Sequence, residues 1–423
     1  MVNSARLSAC SNSDSSEAVC RLVASIVHAI QVVIAIVVFC LAETTLAQAL
    51  RPDSPLPTTP FADWKPVPGR ARQYEAEFAS PLQTGIAVND TILARVVLPE
   101  GGGPFPGVLI LHYWGAATLD VEQAMAAELA SRGVAAVLIS LPYHLERSPE
   151  GKPSGSQAIV PDPDRMLQTM TQAVLDARET GRFIASRPEF DASRVGIMGT
   201  SLGSLVAEVV YGVDARFQRA AFLLGGVDLA GILWRSPIVV EQRNALRRSG
   251  ITEPILRERL AGIEPTAYLS QREGGRTYVI GARYDVVIPA RYTEALAKLL
   301  PEGESLWLDT GHYGGVLVQR PLFRSIADFF ETEFSGERFR APKTLYAPTI
   351  RLGIQANTAT RVQIALGVDV WRSNTKGDVV GTLLATPRGP QFFLGGKLDK
   401  GLMVGATFAQ RRTAIGVFWS MIL

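Results

Sequence analysis

Beyond residue 70 the chain alternates two kinds of apolar run. Residues 73–79 and 90–98 read as two strands separated by a turn around Asn89-Asp90. A Gly101-Gly102-Gly103 turn leads into Val108-Leu109-Ile110-Leu111, the continuous apolar run of a strand buried on both faces. Those glycines precede a strand rather than opening a helix, which makes them a tight turn and not a phosphate cradle. Helical spacing follows over 119–132, an apolar run over Val134–Leu141, and a longer helix over 163–187 whose simplest role is core packing. Then come a strand at 194–199, a helix from 201, a strand near 219–224, and a more irregular, charged stretch over 228–265. A strand at 277–281, a helix at 289–300, a strand at 305–308 and a helix at 321–333 resume the alternation. Strands alternating with helices predict parallel βαβ units, hence an α/β fold whose sheet is covered by helices on both faces. In such sheets ligands bind at the carboxyl ends of the strands.

From Leu345 the period changes to that of a strand. Val362, Ile364, Leu366, Val368 and Val370 alternate with Arg361, Gln363, Ala365, Gly367 and Asp369. Similar stretches at 346–355, 379–386, 391–396, 401–409 and 412–423 are separated by turn-like Asn357-Thr358, Ser373-Asn374 and Asp399-Lys400-Gly401. Residues 345–423 are therefore expected to form an antiparallel β-meander of five or six strands. Two readings of it stand side by side: a small β-sandwich or half-open barrel packed on the α/β domain, or a region that associates with the outer membrane. The second rests on Ile415, Val417, Trp419, Met421 and Leu423, which share one face of the last strand and run to the terminus. Against it, six strands are fewer than the roughly eight of the smallest single-chain membrane barrels.

The N-terminal end reads as an address. Residues 22–42, LVASIVHAIQVVIAIVVFCLA, form an apolar run preceded by Arg21 and followed by Ala47-Gln48-Ala49. The small residues Ala47 and Ala49 fit a signal-peptidase site with cleavage after Ala49. The same run, at about 20 residues, is also long enough to span a bilayer uncleaved. Residues 1–49 are thus a signal peptide or a membrane anchor, and the protein is expected to be exported to the periplasm, the medium or the cell envelope. Six prolines between Pro52 and Pro68 make residues 50–70 an extended linker, leaving 71–336 for the α/β domain.

Composition narrows the partners. With 423 residues, 47% hydrophobic and 19% charged, the chain sustains a large core and is not mostly disordered. Lys plus Arg is 42 against 40 for Asp plus Glu, a net charge of +2, so no basic footprint points to a nucleic-acid partner. The three cysteines, Cys10, Cys20 and Cys40, all lie in the leader, which leaves no Cys-based zinc site, thiol nucleophile or disulfide beyond residue 40.

The motif that carries chemistry is Gly199-Thr200-Ser201-Leu202-Gly203, set between the strand RVGIM (194–198) and the following helix. That is the context of a nucleophile elbow, whose sharp turn demands small residues two positions either side of the serine. A free serine hydroxyl is a poor nucleophile and needs a histidine base oriented by a carboxylate. Of the four histidines, His28, His112, His144 and His312, only His312 follows Ser201, in Asp309-Thr310-Gly311-His312 just beyond a strand. Between them Asp285 stands in Gly281-Ala282-Arg283-Tyr284-Asp285, also just past a strand end. Asp309 competes for the acid's role, but three residues from His312 its simpler job is to hold that loop.

Residues 73–334 resemble the α/β-hydrolase superfamily, in its dienelactone-hydrolase-like and esterase branch. The resemblance rests on the elbow, the acid loop ending in Val287-Ile288-Pro289, and the Gly311-His312 pair. It implies Ser201 as nucleophile, His312 as general base and acid, and Asp285 as the orienting carboxylate. It also implies an oxyanion hole made of the backbone N–H of Leu202 and one from the loop His112-Tyr113-Trp114-Gly115, by position that of Trp114. The chain departs from many relatives by carrying His112-Tyr113 where they carry His-Gly.

His112 is read as bracing that loop rather than as a second base. Tyr113 is a candidate pocket residue, and Tyr143-His144 either line the pocket or cap a loop. Trp234 and the stretch 228–265 form either a lid or an ordinary surface helix pair. The implied reaction is hydrolysis of a small-molecule carboxylic ester through an acyl-serine, with no metal and no organic cofactor. A serine peptidase on the same fold and a membrane-associated, non-catalytic binding protein remain as alternatives.

Overall fold

A computed structural model of the chain describes residues 50, 56, 60–342, 345, 348–359, 362–373, 379–399, 401–409 and 412–423. The expected leader over 1–49, with its three cysteines, lies outside the described residues. Residues 60–66 are not a free linker. Phe61 packs edge-on to Phe78 and Phe183, Trp64 stacks on Tyr74 at 4.9 Å, and a short strand β1 (Lys65–Pro66) pairs with β2 (Gln73–Ala79). Aromatic burial outweighs the extended preference of the surrounding prolines.

The α/β domain is a nine-stranded sheet. Its further strands are β3 (Thr91–Val97), β4 (Phe105–Leu111), β5 (Ala135–Ile139), β6 (Phe190–Thr200), β7 (Phe217–Leu223), β8 (Arg276–Ala282) and β9 (Glu304–Leu308). The order is β1-β2-β3-β5-β4-β6-β7-β8-β9, antiparallel as far as β5 and parallel from there on. Every residue of β4 and β5 is buried, as their unbroken apolar runs require. Helices α1 (Asp120–Ala130), α2 (Pro163–Ser186) and α3 (Leu202–Val213) follow β4, β5 and β6. The α2 start is set by Asp162, whose carboxylate accepts the N–H groups of Asp164 and Arg165 ahead of Pro163.

The stretch 228–265 is helical, not irregular: α4 (Leu229–Arg235), α5 (Val240–Arg248), α6 (Glu253–Arg259) and, closing it, α7 (Pro265–Leu269). Pro237, Pro254 and Pro265 each stand in a first turn and cut the segment into pieces too short to show a period. Two more helices, α8 (Ala290–Leu299) and α9 (Gln319–Phe334), complete the domain. Helices α1 and α9 share one face of the sheet, where Met125, Leu129, Phe329 and Phe330 pack on Val108 and Ile110.

Residues beyond 345 form six strands: β10 (Ile350–Asn357), β11 (Val362–Arg372), β12 (Val379–Thr386), β13 (Gly389–Asp399), β14 (Leu402–Ala409) and β15 (Arg412–Ile422). Because β10 pairs with both β11 and β15, the meander is a closed barrel rather than a sandwich or a half-open sheet. Inside it lie Ala365, Val380, Leu384, Phe393, Met403 and Phe418 together with hydrogen-bonded polar side chains. One end of the barrel meets the α/β domain. There Thr349 Oγ1 and Arg372 Nη2 donate to the Asp309 carbonyl at 2.6 and 2.7 Å, and the Arg372 guanidinium pairs with the Asp309 carboxylate at 3.4 Å.

A buried ion pair ties the loop after β5 to the core. Arg147 and Asp176 are fully buried and 2.8 Å apart, and Arg147 also donates to the carbonyls of Asn89 and Ser140. Removing one partner strands the other's charge in the interior. Arg147→Met should therefore lower unfolding free energy by about 3–5 kcal/mol in urea titration, and Arg147→Met/Asp176→Leu should recover most of that loss.

Candidate active site

The strand registers assemble the site. Leu111, the last residue of β4, pairs with Gly199, so the loop His112-Tyr113-Trp114 and the Gly199–Gly203 turn emerge side by side. On the other flank Ala282 pairs with Leu308, which brings out the Asp285 and His312 loops together. All four loops leave the carboxyl ends of parallel strands, where open α/β sheets bind ligands.

At the turn Ser201 adopts φ 54° and ψ −113°, a backbone conformation that non-glycine residues rarely occupy. Its N–H donates to the Leu223 carbonyl at 2.8 Å. The flanking glycines are required by close approach: a Cβ on Gly199 would stand 2.1 Å from the Gly203 carbonyl oxygen, and one on Gly203 2.3 Å from that of Leu111. The strain lifts the hydroxyl out of the turn toward His312.

His312 Nε2 lies 3.0 Å from Ser201 Oγ, and its Nδ1 lies 2.6 Å from Asp285 Oδ2. The other Asp285 oxygen accepts the N–H groups of Val287 and Ile288, both at 2.8 Å, which fixes the carboxylate's direction. A carboxylate at Nδ1 holds the proton there and leaves Nε2 as the acceptor facing the serine. Asp309 does not touch His312. Its carboxylate pairs with Arg283 at 2.9 Å and with Arg372, so it docks the barrel rather than only bracing its own loop.

His112 is fully buried and acts on the neighbouring loop. The Leu141 N–H donates to its Nε2 at 2.9 Å, so the ring's proton sits on Nδ1, which donates to the Tyr113 carbonyl at 2.7 Å. The Trp114 N–H belongs to the same planar trans peptide and points opposite that carbonyl. His112 thereby sets the direction of the Trp114 amide. The Leu202 amide opens α3, where first-turn N–H groups have no partner within the helix.

Two cavities meet at Ser201 and Trp114. The smaller, about 80 Å³, is almost wholly apolar, lined among others by Met170, Leu205, Ile232, Val239, Leu260 and Ile263. The larger, about 580 Å³, is lined by His312, Tyr113, Tyr313, Val316, Gln319 and Phe323 among others. Helix α4 and the segment after it thus roof the smaller cavity, whereas Trp234 lines neither and stacks under Arg247 at 4.9 Å. Tyr143 and His144 also line neither. His144 is buried edge-on to His112 at 4.9 Å with Nδ1 2.9 Å from the Pro142 carbonyl, and belongs to the loop's support.

Glu208 is a residue that sequence reasoning missed. On α3 its Oε1 accepts from Ser204 Oγ at 3.0 Å and from the Gly226 N–H at 3.1 Å, and burial pushes its carboxyl well above the usual range. It thus ties the loop after β7 to the elbow helix. The signal was present: it is the single ionisable carboxylate within the apolar run LGSLVAEVVYGV. Among the described residues no group of three or more His, Cys, Asp and Glu side chains is arranged to hold a metal.

Residues 92–256 match the dienelactone hydrolase family. That match ends before Asp285 and His312. An acetyl xylan esterase from Paenibacillus sp. R4 is 21% identical, with 68% of this chain and 98% of that chain covered at a TM-score of 0.51, and shares the α/β-hydrolase fold. The 2,6-dihydroxy-pseudo-oxynicotine hydrolase is 18% identical over 64% of this chain and 70% of its own, at a TM-score of 0.47. Acetyl xylan esterase 1 from Thermoanaerobacterium sp. JW/SL YS485 is 16% identical over 66% and 92%, at 0.48. No curated protein matches the chain.

Burial, reinforced by neighbouring charge, holds His112 down at about 3 and His144 at about 4, against an ordinary 6.5. Below pH 6.5 the unfolded chain takes up a proton at each of these histidines that the folded chain refuses until the lower values, so each contributes stability that is lost as pH falls through this window. Glu122 and Glu208, whose carboxyls burial raises, act in the opposite sense over the same range. One histidine corresponds to about 1.4 kcal/mol per pH unit. Urea titrations between pH 7 and pH 5 should therefore show His112→Asn lowering the pH slope of the unfolding free energy by about 1.4 kcal/mol per pH unit relative to wild type.

Proposed function

We propose that this chain, an α/β-hydrolase whose residues 92–256 match the dienelactone hydrolase family, is an exported serine esterase with a Ser201-His312-Asp285 triad. The observation that carries the reading is the unbroken relay of 3.0 Å from Ser201 Oγ to His312 and 2.6 Å from His312 to Asp285. His312 Nε2 takes the hydroxyl proton as Oγ attacks the ester carbonyl, and Asp285 stabilises the imidazolium that forms. The Leu202 and Trp114 amides receive the developing oxyanion. When the tetrahedral intermediate collapses, His312 gives its proton to the departing alkoxide. Water, activated by the same histidine, then cleaves the acyl-serine. The relay supplies both nucleophile and base, and no step calls for a metal or an organic cofactor.

The two cavities divide the substrate. The alcohol must leave on the side of the histidine that protonates it, and the larger cavity contains His312 while the smaller does not. The acyl group accordingly enters the smaller, apolar cavity, whose about 80 Å³ favours a short chain. Export is supported by the apolar run at 22–42 and the small residues at 47 and 49.

Ser201→Ala should leave the fold intact and lower ester turnover by several orders of magnitude. Asp285→Asn should lose on the order of 10⁴ in kcat, whereas Asp309→Asn should keep its rate and lose about 1–3 kcal/mol of stability. In a series of p-nitrophenyl esters, kcat/KM should fall as the acyl chain lengthens, and matched amides should turn over far more slowly. Near-normal activity in Ser201→Ala, or a large rate loss in Asp309→Asn but not Asp285→Asn, contradicts the mechanism.

A further inference from the structure

We propose that the C-terminal barrel is inserted in a lipid bilayer, with the acyl chains of the lipids around its whole circumference. The observation is an inverted arrangement of faces. Ile354, Ile364, Leu383, Leu394, Val404 and Ile415, one on each of the six strands, are all exposed on the outside. Among the described side chains, the exposed charged residues within the strands are Lys397 and Arg412, which stand at opposite ends of the barrel. The inside holds paired polar side chains beside an apolar cluster. Arg351 makes a bidentate pair with Asp369, both bonds 2.8 Å, and Thr382 donates to the same carboxylate. Gln363 donates to Gln355, and Gln355 to Thr407, each at 2.8 Å.

In water this pattern runs against the hydrophobic effect, which would turn the isoleucines and valines inward and the arginine and glutamines out. In hydrocarbon it is the favourable one: apolar groups face lipid, polar groups pair inside, and a closed barrel leaves no strand edge unpaired. The strands are 8 or 11 residues long. A tilted transmembrane strand needs roughly 9–11. Exposed Trp371 and Trp419 lie near the ends of β11 and β15, two of the three strands that run toward the α/β domain, and Phe392 and Phe408 pair near the far end. Aromatic side chains so placed suit the two membrane interfaces. Six strands close too tightly for a channel, and Phe393, Phe418 and Met403 fill the lumen.

Lipid is favoured over a protein partner because all six strands are apolar outside. A second copy or another protein covers one side of a barrel, whereas a bilayer covers it all round. The hydrolase domain, held at one end through Asp309, then sits at the membrane surface. This placement does not depend on which residue is the nucleophile.

The test is flotation of the full chain with dioleoylphosphatidylcholine vesicles, followed by a carbonate wash. Wild type should float and resist the wash, and Ile255→Glu, the same change on an exposed isoleucine of the α/β domain, should behave alike. Ile364→Glu/Leu383→Glu should lower the floated fraction at least tenfold. Brominated lipid should quench wild-type tryptophan emission, and Trp419→Phe should reduce the quenched fraction, a readout that holds even where the double variant does not fold. Wild type that remains in the aqueous fraction, as a monomer or as a lipid-free oligomer by light scattering, overturns the proposal. So does emission that brominated lipid leaves unchanged.

Discussion

Everything at the site follows from how closely the elbow helix is driven against the sheet. Gly203 of α3 stands so near the end of β4 that no side chain fits between them, and Gly199 stands as near to Gly203. With no room to turn gradually, the chain passes from β6 to α3 in one residue, and that residue, Ser201, takes the strained conformation. The same closeness puts the first amides of α3 beside the loop after β4, so the groups suited to meet an oxyanion converge on the hydroxyl without help from flexible segments. Supporting groups behind them are buried: His112 orients the Trp114 peptide, and Glu208, its carboxyl pushed up by burial, links α3 to the loop after β7.

The opposite flank is held from outside the α/β domain as well as from within. Asp285 is oriented by the amides of Val287 and Ile288 in its own loop. The histidine loop, in contrast, is pressed by the barrel. Arg372 and Thr349 grip Asp309, three residues before His312, and a Cβ on Gly311 would stand 2.1 Å from the Leu423 carbonyl oxygen. Leu423 thus packs against the neighbour of the histidine. Whatever holds the barrel also bears on the position of His312.

Much of this was legible in the sequence, and the misses have physical causes. The α/β alternation was readable because buried parallel strands are unbroken apolar runs, and Ser201, Asp285 and His312 could be singled out because each follows such a run. The helices between 228 and 265 were not readable, since three prolines cut them below the length at which a period emerges. Phe61 and Trp64 were hidden by the prolines around them, although their ring contacts tie that segment to β2 and α2. The alternation of the last strands gave their faces, and their number only as five or six, but not which face was inside. Period two is symmetric, and only closure of β10 on β15 decides it. Tyr143 and His144 follow a strand end as Asp285 does, yet His144 turns into the protein to meet His112, a choice made by packing that spacing does not record.

The central claim is that Ser201 is made nucleophilic by His312. The most direct measurement is intact-protein mass spectrometry after treatment with a fluorophosphonate, followed by peptide mapping. The account predicts one covalent adduct per chain, on the peptide containing Ser201, and its loss in His312→Ala. A chain that stays unlabelled, or a label carried by any other residue, contradicts it.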